Sequence, residues 1–386
     1  MKNLYSKKDS AAFQRRHAWA GADLARRIYT SRLLGSDPRL VLHGGGNTSV
    51  KTLLRDGSGK KIPGLLIKGS GMDLATIDAA GMPALSLAPL AGLRGLKTLS
   101  NGQMIQALEG AAITRAAPVP SVETLLHAFL PHKFIDHTHA NAVLALTDQA
   151  DGRAICGHLF GPRVAIVPYF RPGFDLARSA ARLYEANPEV EGLILLQHGI
   201  VTFGGTARES YGRMVNLVSM AEKFIKRGKK KVFAAARLPR RPIRVATLAP
   251  ILRGLVGADI PMILDFRTDK GIRAFTDGRD LARYGQAGTA TPDHLIRTKA
   301  KPLIVPFPKQ GREDAFRKVA GRAMDRFTSQ YQAYFERQDK RQGKGKIPLD
   351  PYPRVILVPG LGLFGAGGTA GAARIAADLA RANIEI

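Results

Sequence analysis

The sequence predicts an α/β protein in which a domain with a central, mostly antiparallel sheet is followed by a smaller α/β domain. From about residue 12 to 235, segments with helical spacing alternate with short apolar strands. A basic segment that contains prolines lies at about 226–244, and a second alternation follows it. Such a mixture favours a sheet covered by helices, and a change of composition marks a linker. We therefore predict domains at 1–235 and 245–386.

The elements of the first domain follow in order along the chain. Helical spacing marks "AAFQRRHAWAGADLARRIYTSRLL", and "GLLIKGSG" is a short strand that ends in a glycine turn. The helix "SVETLLHAFLP" starts with a serine suited to an N-cap and stops at a proline. "FIDHTHANAVLAL" begins as a strand, "RVAIVPYF" is another, and "DLARSAARLYEANP" is an amphipathic helix. "GLILLQHGIVTFGG" predicts a strand pair that bends near "HG", and "TARESYGRMVNLVSMAEKFIKR" predicts a closing helix.

The second domain is also predicted to contain both strands and helices. "PMILDF" and "PLIVPFP" predict strands, and a helix is expected near 313–337. The final segment, "RVILVPGLGLFGAGGTAGAARIAADLARANIEI", predicts a strand, a glycine-rich loop and a helix. No internal repeat is evident in the amino-acid sequence.

Composition limits the class of protein. Of the 386 residues 45% are hydrophobic, which is enough for packed cores. The single cysteine, Cys156, excludes an internal disulfide and a cysteine-rich zinc site and favours a reducing compartment. The first residues lack the apolar core of a signal peptide, and no apolar run approaches the ~18 residues of a membrane span. We therefore expect a cytoplasmic protein with no membrane partner.

The formal net charge of +27 raises the question of a nucleic-acid partner. Ten lysines and arginines, and no acid, fall within 223–244. No zinc-finger, KH or aromatic RNP pattern accompanies them, and aromatic residues are only 7% of the chain. We interpret this segment as a solvated basic linker and do not expect nucleic acid as the partner, although nucleic-acid contact is the alternative that the charge leaves open.

Two histidines, His137 and His139, are the first candidates for chemistry. In an extended strand, residues i and i+2 point to the same face, so these imidazoles would stand side by side. A third ligand would complete an open zinc site, and His198 stands at the end of the apolar run "GLILLQ", where a strand end faces a cleft. The alternative is histidines that serve only packing or the surface, because H-x-H alone is a weak signal.

Glu123 begins the helix that ends just before the histidine strand, so its carboxylate can return to the same cleft. Two alternatives stay open: an acid favoured by the helix dipole, or a simple pair with His127 at i+4. Two glycine-containing stretches, "LHGGGNTSVK" and "LIKGSGMDL", offer backbone N–H groups and hydroxyls that suit phosphate. Each stretch could also be only a tight turn.

Taken in order, these motifs resemble the class II (zinc-dependent) aldolase/adducin family over roughly residues 20–230. "GGGNTSVK" and "KGSGMDL" look like the two phosphate loops, and "SVETLLH" is similar to the segment with the catalytic glutamate. "DHTHA" and "LLQHGIVTFG" resemble the segments with the metal ligands. The resemblance implies Zn²⁺ held by His137, His139 and His198. It also implies Glu123 as general acid/base, and phosphate contacts from Asn47, Ser70, Gly71 and Ser121.

The resemblance further implies the class II aldolase fold, a homotetramer and retro-aldol cleavage of a ketose 1-phosphate. Rhamnulose 1-phosphate is the first candidate, with dihydroxyacetone phosphate and lactaldehyde as products. Some sugar-phosphate aldolases of the family have two serines before the glutamate, whereas Val122 stands at the second position here. The alternatives are a sugar-phosphate 4-epimerase with the same zinc site and a non-catalytic, adducin-like interaction module.

The C-terminal segment resembles the region that joins the two halves of bifunctional rhamnulose-1-phosphate aldolase/short-chain dehydrogenase proteins. That likeness implies a dehydrogenase half that this chain lacks, or a separate dehydrogenase subunit. Within the segment, Gly360, Gly362 and Gly365 match G-x-G-x-x-G between a predicted strand and helix. Pro359 interrupts the junction, and no second strand follows the helix, so we do not expect a dinucleotide site here.

Overall fold

The computed structural model describes residues 1–113, 118–228, 232–257 and 259–386. The chain divides into two compact units, residues 1–228 and 229–386. The predicted domains, 1–235 and 245–386, place the connecting segment slightly later, and that assignment stays a prediction. Three lysines of the basic segment, residues 229–231, lie outside the described residues.

In the described part of the first unit, one sheet contains seven strands: β1 (Asn47–Arg55), β2 (Lys61–Ile67), β3 (Ala84–Ser86), β4 (Phe134–Thr138), β5 (Val164–Val167), β6 (Gly192–Leu195) and β7 (Gly199–Gly204). Their order across the sheet is β3-β2-β1-β4-β7-β6-β5. Only β5 and β6 are parallel neighbours among these strands. The predicted central, mostly antiparallel sheet is confirmed, and β6 and β7 are the predicted strand pair.

Helices cover this sheet: α1 (Lys7–Arg16), α2 (Ala22–Gly35), α3 (Leu87–Gly92), α4 (Asn101–Ala111), α5 (Thr124–Phe129), α6 (Asn141–Thr147), α7 (Gly152–Phe160), α8 (Phe174–Ala186) and α9 (Ala207–Ile225). Helix α9 begins where the Thr206 hydroxyl accepts a hydrogen bond from the Glu209 amide. In helix α5, Leu125 is fully buried in the same core as Ile135 of β4 and Phe203 of β7. This packing fixes the start of α5 relative to the sheet.

The second unit is built around a smaller sheet. Its described strands are β8 (Ile263–Arg267), β9 (Leu303–Ile304), β10 (Val355–Val358) and β11 (Gly362–Gly367). Its described helices are α10 (Val245–Val256), α11 (Lys270–Thr276), α12 (Leu281–Tyr284), α13 (Pro292–Thr298), α14 (Glu313–Arg341) and α15 (Ala370–Glu385). The predicted smaller α/β unit is confirmed. Within the described ranges, no helix is both long enough and apolar enough to cross a bilayer.

This second sheet repeats four strands of the first. The order β8-β11-β10-β9 corresponds to β4-β7-β6-β5, and the neighbouring strands have the same relative directions. The helices that follow the strands also correspond, since α6 and α11 follow β4 and β8, and α9 and α15 follow β7 and β11. The expectation that the chain has no internal repeat is therefore wrong at the level of structure.

Two glycines mark the equivalent hairpin turns of this repeat. Gly199 starts β7 and Gly362 starts β11. A Cβ atom on Gly199 would lie 2.3 Å from the main-chain oxygen of Thr138, and a Cβ atom on Gly362 would lie 2.3 Å from that of Arg267. Because real Cβ atoms do not approach a carbonyl oxygen so closely, each hairpin packs on its neighbour only through a glycine.

The G-x-G-x-x-G pattern belongs to the second of these hairpins. Gly360 lies in the turn with a left-handed φ of +86°, while Gly362 and Gly365 lie inside β11, which is antiparallel to β10. A dinucleotide fingerprint instead passes from a strand directly into a helix. Gly365 serves packing, because a Cβ atom there would lie 2.2 Å from the oxygen of Ala373 in α15.

Candidate metal and active site

Three histidines converge at the end of β4. His137 is in that strand, His139 lies just beyond its end, and His198 lies in the turn that leads into β7. Because β4 and β7 are paired, with Thr138 opposite Ile200, the turn lies beside the end of β4. One ring nitrogen from each histidine lies within 4.8 Å of the others, and all three residues are buried. The structure therefore brings together the three predicted ligands.

The spacing of these nitrogens fits a metal ion. The Nε2 atoms of His137 and His139 are 3.1 Å apart. Tetrahedral zinc with Zn–N bonds of 2.0–2.1 Å places its ligand nitrogens about 3.3 Å apart. His137 Nδ1 lies 3.1 Å from the Ile200 carbonyl oxygen, and if Nδ1 carries the proton, the Nε2 lone pair faces the cluster. The donor set could hold a metal ion, as the sequence predicted, and it suits Zn²⁺.

Glu123 faces the same cluster from the N-cap of α5. Its Oε2 atom lies 3.3 Å from His137 Nε2, and its Oε1 atom lies 3.2 Å from His198 Nε2. Burial raises the pKa of this carboxyl, but the charges of His137 and His198 and a hydrogen bond from Asn47 outweigh it and lower the pKa to about 2. Glu123 is therefore ionised at neutral pH and can accept a proton.

Asn47 and Ser121 lie beside Glu123. The Asn47 side-chain amide donates to Glu123 Oε2 at 2.6 Å and to Ser121 Oγ at 3.1 Å. The Glu123 amide also donates to Ser121 Oγ, at 3.3 Å. Asn47 therefore holds the carboxylate directly, and Ser121 contacts Asn47 and the backbone of Glu123.

A fully buried histidine orients Asn47. His127 Nε2 lies 2.5 Å from Asn47 Oδ1, and His127 Nδ1 lies 2.7 Å from Ser49 Oγ. Burial lowers the pKa of His127 to about 3, so the ring is neutral and its one proton lies on Nε2 if it donates to Asn47. Both ring nitrogens are used in this way, in place of the i+4 pair with Glu123 that the sequence left open. This role of His127 could not be predicted from local sequence, because its partners are about 80 residues away.

The two glycine-containing loops contact each other near this site. A Cβ atom on Gly44 would lie 2.9 Å from the main-chain oxygen of Gly71. Lys68 is buried, and its Nζ atom donates to the carbonyl oxygens of Gly44 and Met72, the latter at 2.7 Å. This lysine therefore links the two loops through hydrogen bonds to the backbone of each.

Ser70 and Gly71 are exposed at the outer side of these loops. The Ser70 amide donates to the Val119 carbonyl oxygen at 2.7 Å, so Ser70 would offer a phosphate its hydroxyl. The Ser121 amide donates to the Lys68 carbonyl oxygen at 3.2 Å and joins the segment of Glu123 to the loops. The predicted phosphate residues therefore form two sets, one beside the carboxylate and one at the surface.

A buried ion pair supports the strands beneath the histidines. Arg27 Nη2 lies 2.5 Å from Asp136 Oδ1, and both side chains are fully buried. Ser210 Oγ donates to Asp136 Oδ2 at 2.6 Å. Asp136 precedes His137 in β4, so the pair anchors the strand that carries two of the three histidines. Sequence reasoning missed this pair, since a charged residue on a helix usually faces solvent.

Comparison with known proteins adds the family. The model of the class II aldolase and adducin N-terminal domain matches residues 25–225, and the model of the class II aldolase second domain matches residues 244–386. The first match covers more than half of the 386 residues. The chain therefore belongs to the class II aldolase/adducin family, a family of metal-dependent lyases and their relatives.

Individual proteins that this chain resembles include one curated relative and two solved structures. The chain is 34% identical over 367 residues to a Bacillus subtilis (strain 168) protein named "Uncharacterized oxidoreductase YuxG", covering 93% of this chain and 53% of that protein. It thus spans about half the length of this curated relative. A solved N-terminal class II aldolase domain from Thermoplasma acidophilum is 38% identical, with a TM-score of 0.53 over 58% of this chain and 99% of that chain. YgbL of Klebsiella pneumoniae, a putative aldolase/epimerase/decarboxylase, is 22% identical, with a TM-score of 0.40 over 56% of this chain and 95% of that chain.

Proposed function

We propose that this chain is a zinc-dependent aldolase that cleaves a ketose 1-phosphate, with rhamnulose 1-phosphate as the first candidate. The products would be dihydroxyacetone phosphate and lactaldehyde. The supporting observation is the buried cluster in which the carboxylate of Glu123 lies within 3.3 Å of two converging histidine nitrogens. Family membership makes a carbon–carbon lyase the favoured reaction class.

In this reaction the bond between C3 and C4 of the sugar breaks. The hydroxyl on C4 loses its proton and becomes the aldehyde, and the electron pair of the bond remains on the ketone fragment as an enediolate. A proton then returns to C3 and completes dihydroxyacetone phosphate. A zinc ion held by His137, His139 and His198 would supply the positive charge that stabilises the enediolate.

Residues of this chain would transfer the proton and bind the phosphate group of the substrate. The buried Glu123 carboxylate lies against two of the histidines, so it would take a proton inside the cleft and return it. Asn47 holds one carboxylate oxygen of Glu123 and thereby fixes the direction in which the carboxylate points. Asn47, Ser70, Gly71 and Ser121 are the proposed phosphate contacts, and binding remote from the reacting bond would position the sugar.

The first test measures metal content and triose release for the wild type and for His139→Ala, with rhamnulose 1-phosphate as substrate. We expect about one zinc per chain in the wild type, and loss of both zinc and triose release in the variant. A wild type that is fully loaded with zinc but cleaves no ketose phosphate would disprove the aldolase proposal. Conversion of a pentulose phosphate without release of triose would identify an epimerase instead.

The proposal extends to partners. The relative of which this chain spans about half is named an oxidoreductase, which supports a dehydrogenase that acts with this chain on the aldehyde product. Such a dehydrogenase would be a separate subunit or another part of a longer protein. A homotetramer is proposed from the family resemblance, and light scattering of the purified protein measures it.

A further inference from the structure

A cleft in the second unit has no part in the proposed aldol chemistry. It lies between the segment that follows α13 and one face of α14, and it encloses about 400 Å³. Cavities of ≈300–1,000 Å³ hold small organic ligands. The face of α14 contributes three aromatic side chains: Phe327, Tyr331 and Tyr334.

Cations line the cleft, and its described lining residues include no carboxylate. Lys299, Lys301 and Arg337 are all lining residues. Lys301 and Arg337 are exposed, so their charged groups are available to a ligand that enters from solvent. Two amides, those of Gln286 and Gln330, add hydrogen-bonding groups. This combination fits an anion that carries a planar ring.

The base of the cleft is preorganised around Lys299. This side chain is only 6% exposed, and its Nζ atom lies 4.3 Å from the centre of the Tyr331 ring and 3.7 Å from Asp350 Oδ1. The Tyr331 hydroxyl accepts a hydrogen bond from the Leu349 amide at 3.1 Å. Burial lowers the pKa of Lys299 to about 8, with Asp350 opposing the shift, so the amine is still charged at neutral pH.

The backbone at Lys299 is also unusual. Its φ of +59° is in the left-handed region, which a residue with a long side chain rarely adopts. Such conformations carry a cost and cluster at binding sites. Here the unusual φ allows the chain to leave α13 while the lysine side chain stays buried at the cleft.

The aromatic side chains of the cleft come from a helix that is much longer than its equivalent in the first unit. Helix α8 connects β5 to β6 in the first unit and has 13 residues, whereas α14 connects β9 to β10 in the second and has 29. Among the aromatic residues of the cleft, Phe327 lies at the midpoint of α14, and Tyr331 and Tyr334 lie in its second half. The extra length of α14 is therefore an addition to the shared architecture.

We propose that this cleft binds a nucleoside phosphate. The base would stack on Tyr334, which is 44% exposed, and the phosphates would lie against Lys301 and Arg337. Stacking uses the planar ring, and the arginine offers paired N–H donors to phosphate oxygens. A sugar phosphate without a base would use the cations and leave the aromatic residue without a function.

The test compares three probes by titration calorimetry on the full chain: ADP, adenosine and inorganic pyrophosphate. Tyr334→Leu should weaken ADP and adenosine by about tenfold and leave pyrophosphate unchanged. Arg337→Gln should weaken ADP and pyrophosphate by about five- to tenfold and leave adenosine unchanged. Lys318→Gln, on the same helix but outside the cleft, removes the same charge and should change none of the three.

Absence of ADP binding at millimolar concentration would overturn the proposal. Equal effects of Arg337→Gln and Lys318→Gln would also overturn it, because attraction would then come from the net charge alone. If pyrophosphate binds as tightly as ADP, the base of the nucleotide does not contribute to binding, and the ligand need not be a nucleoside phosphate. Tyr334 is outside the buried core, so its substitution should leave a folded protein in which binding can be measured.

Discussion

The hairpin of β6 and β7 and the hairpin of β10 and β11 have the same backbone but different chemistry. Each turns before a glycine, pairs with an equivalent strand and leads to a helix capped by threonine. In the first hairpin the residue before the glycine is His198, and in the second it is Leu361. The comparison teaches that the glycine is needed for the hairpin to pack on its neighbouring strand, whereas the histidine is needed only for the candidate metal site.

The other two ligand positions differ in the same way. Strand pairing makes Phe266 equivalent to His137, and the residue two positions further, Thr268, equivalent to His139. The Thr268 hydroxyl donates to the Leu361 carbonyl oxygen at 2.8 Å, so an uncharged contact joins two positions whose equivalents in the first unit are proposed metal ligands. The first unit adds β1 and α5, which bring Asn47 and Glu123 to its site.

The largest expected effect comes from replacing His198 in the first hairpin with leucine, the residue at the equivalent position of the second hairpin. His198→Leu should abolish stoichiometric zinc binding and reduce triose release by about 10³-fold or more, because one of three ligands is lost. Metal analysis and a coupled triose assay measure both changes. Leu361→Ala is the matched control and should retain zinc; its loss of zinc would break the comparison.

Glu123→Gln should separate chemistry from metal binding. We expect triose release to fall by about 10²–10⁴-fold while zinc content is unchanged, because the amide keeps the shape but cannot take up the proton. The measurements are single-turnover kinetics and metal analysis on the same preparation. If zinc content falls with activity, Glu123 is a ligand rather than the acid/base.

The reverse exchange tests the repeat directly. The triple substitution Phe266→His, Thr268→His and Leu361→His should raise zinc from about one to about two per chain, because it restores three ligands at equivalent positions. Metal analysis after dialysis gives the stoichiometry, and circular dichroism verifies folding. Leu361→His alone should add no zinc, and a folded triple variant with one zinc would contradict the equivalence.

His127 should act through Asn47 rather than on the substrate. His127→Phe should lower activity by about 10- to 100-fold with zinc retained, as expected when a residue that orients another is lost. His127→Gln keeps an N–H donor and should recover part of the activity. An equal loss in both variants would mean that the hydrogen bond to Asn47 has no effect on activity.

The smallest expected effect lies in the two threonine caps. The hydroxyls of Thr206 and Thr369 accept hydrogen bonds from the amides of Glu209 and Ala372. Thr206→Ala and Thr369→Ala should each cost about 1 kcal/mol in free energy of unfolding. Urea denaturation of each variant measures this loss. A large difference between the two losses would show that the equivalent caps do not contribute equally to stability.

Much of the fold was predictable because its signals are local. The apolar run before His198 and the glycine after it identify the hairpin, and the proline after "LLHAFL" ends α5. The repeat was hidden because it resides in strand pairing, which relates residues far apart in the chain, and because its ligand residues differ. The motifs singled out Glu123 and His137 as candidates, and their predicted roles came from the resemblance to a known family.

Side-chain contacts between residues far apart in the chain could not be predicted from the sequence. His127 and Asn47 are 80 residues apart, and Arg27 and Asp136 are 109 residues apart. Only the folded sheet brings them together, and nothing in the local pattern of either residue distinguishes it from a surface or core residue. The α14 cleft is hidden for the same reason, since Lys299 and Tyr334 are joined only by packing.

The glycines of the two hairpins have a consequence for finding distant relatives. Gly199 precedes its capping threonine by seven residues, and Gly362 precedes its own by the same number. Because a larger residue would collide with the neighbouring strand, this spacing should survive in copies that have lost every metal ligand. A search profile anchored on glycine and threonine, rather than on histidine, would detect members of this architecture that have no catalytic signature.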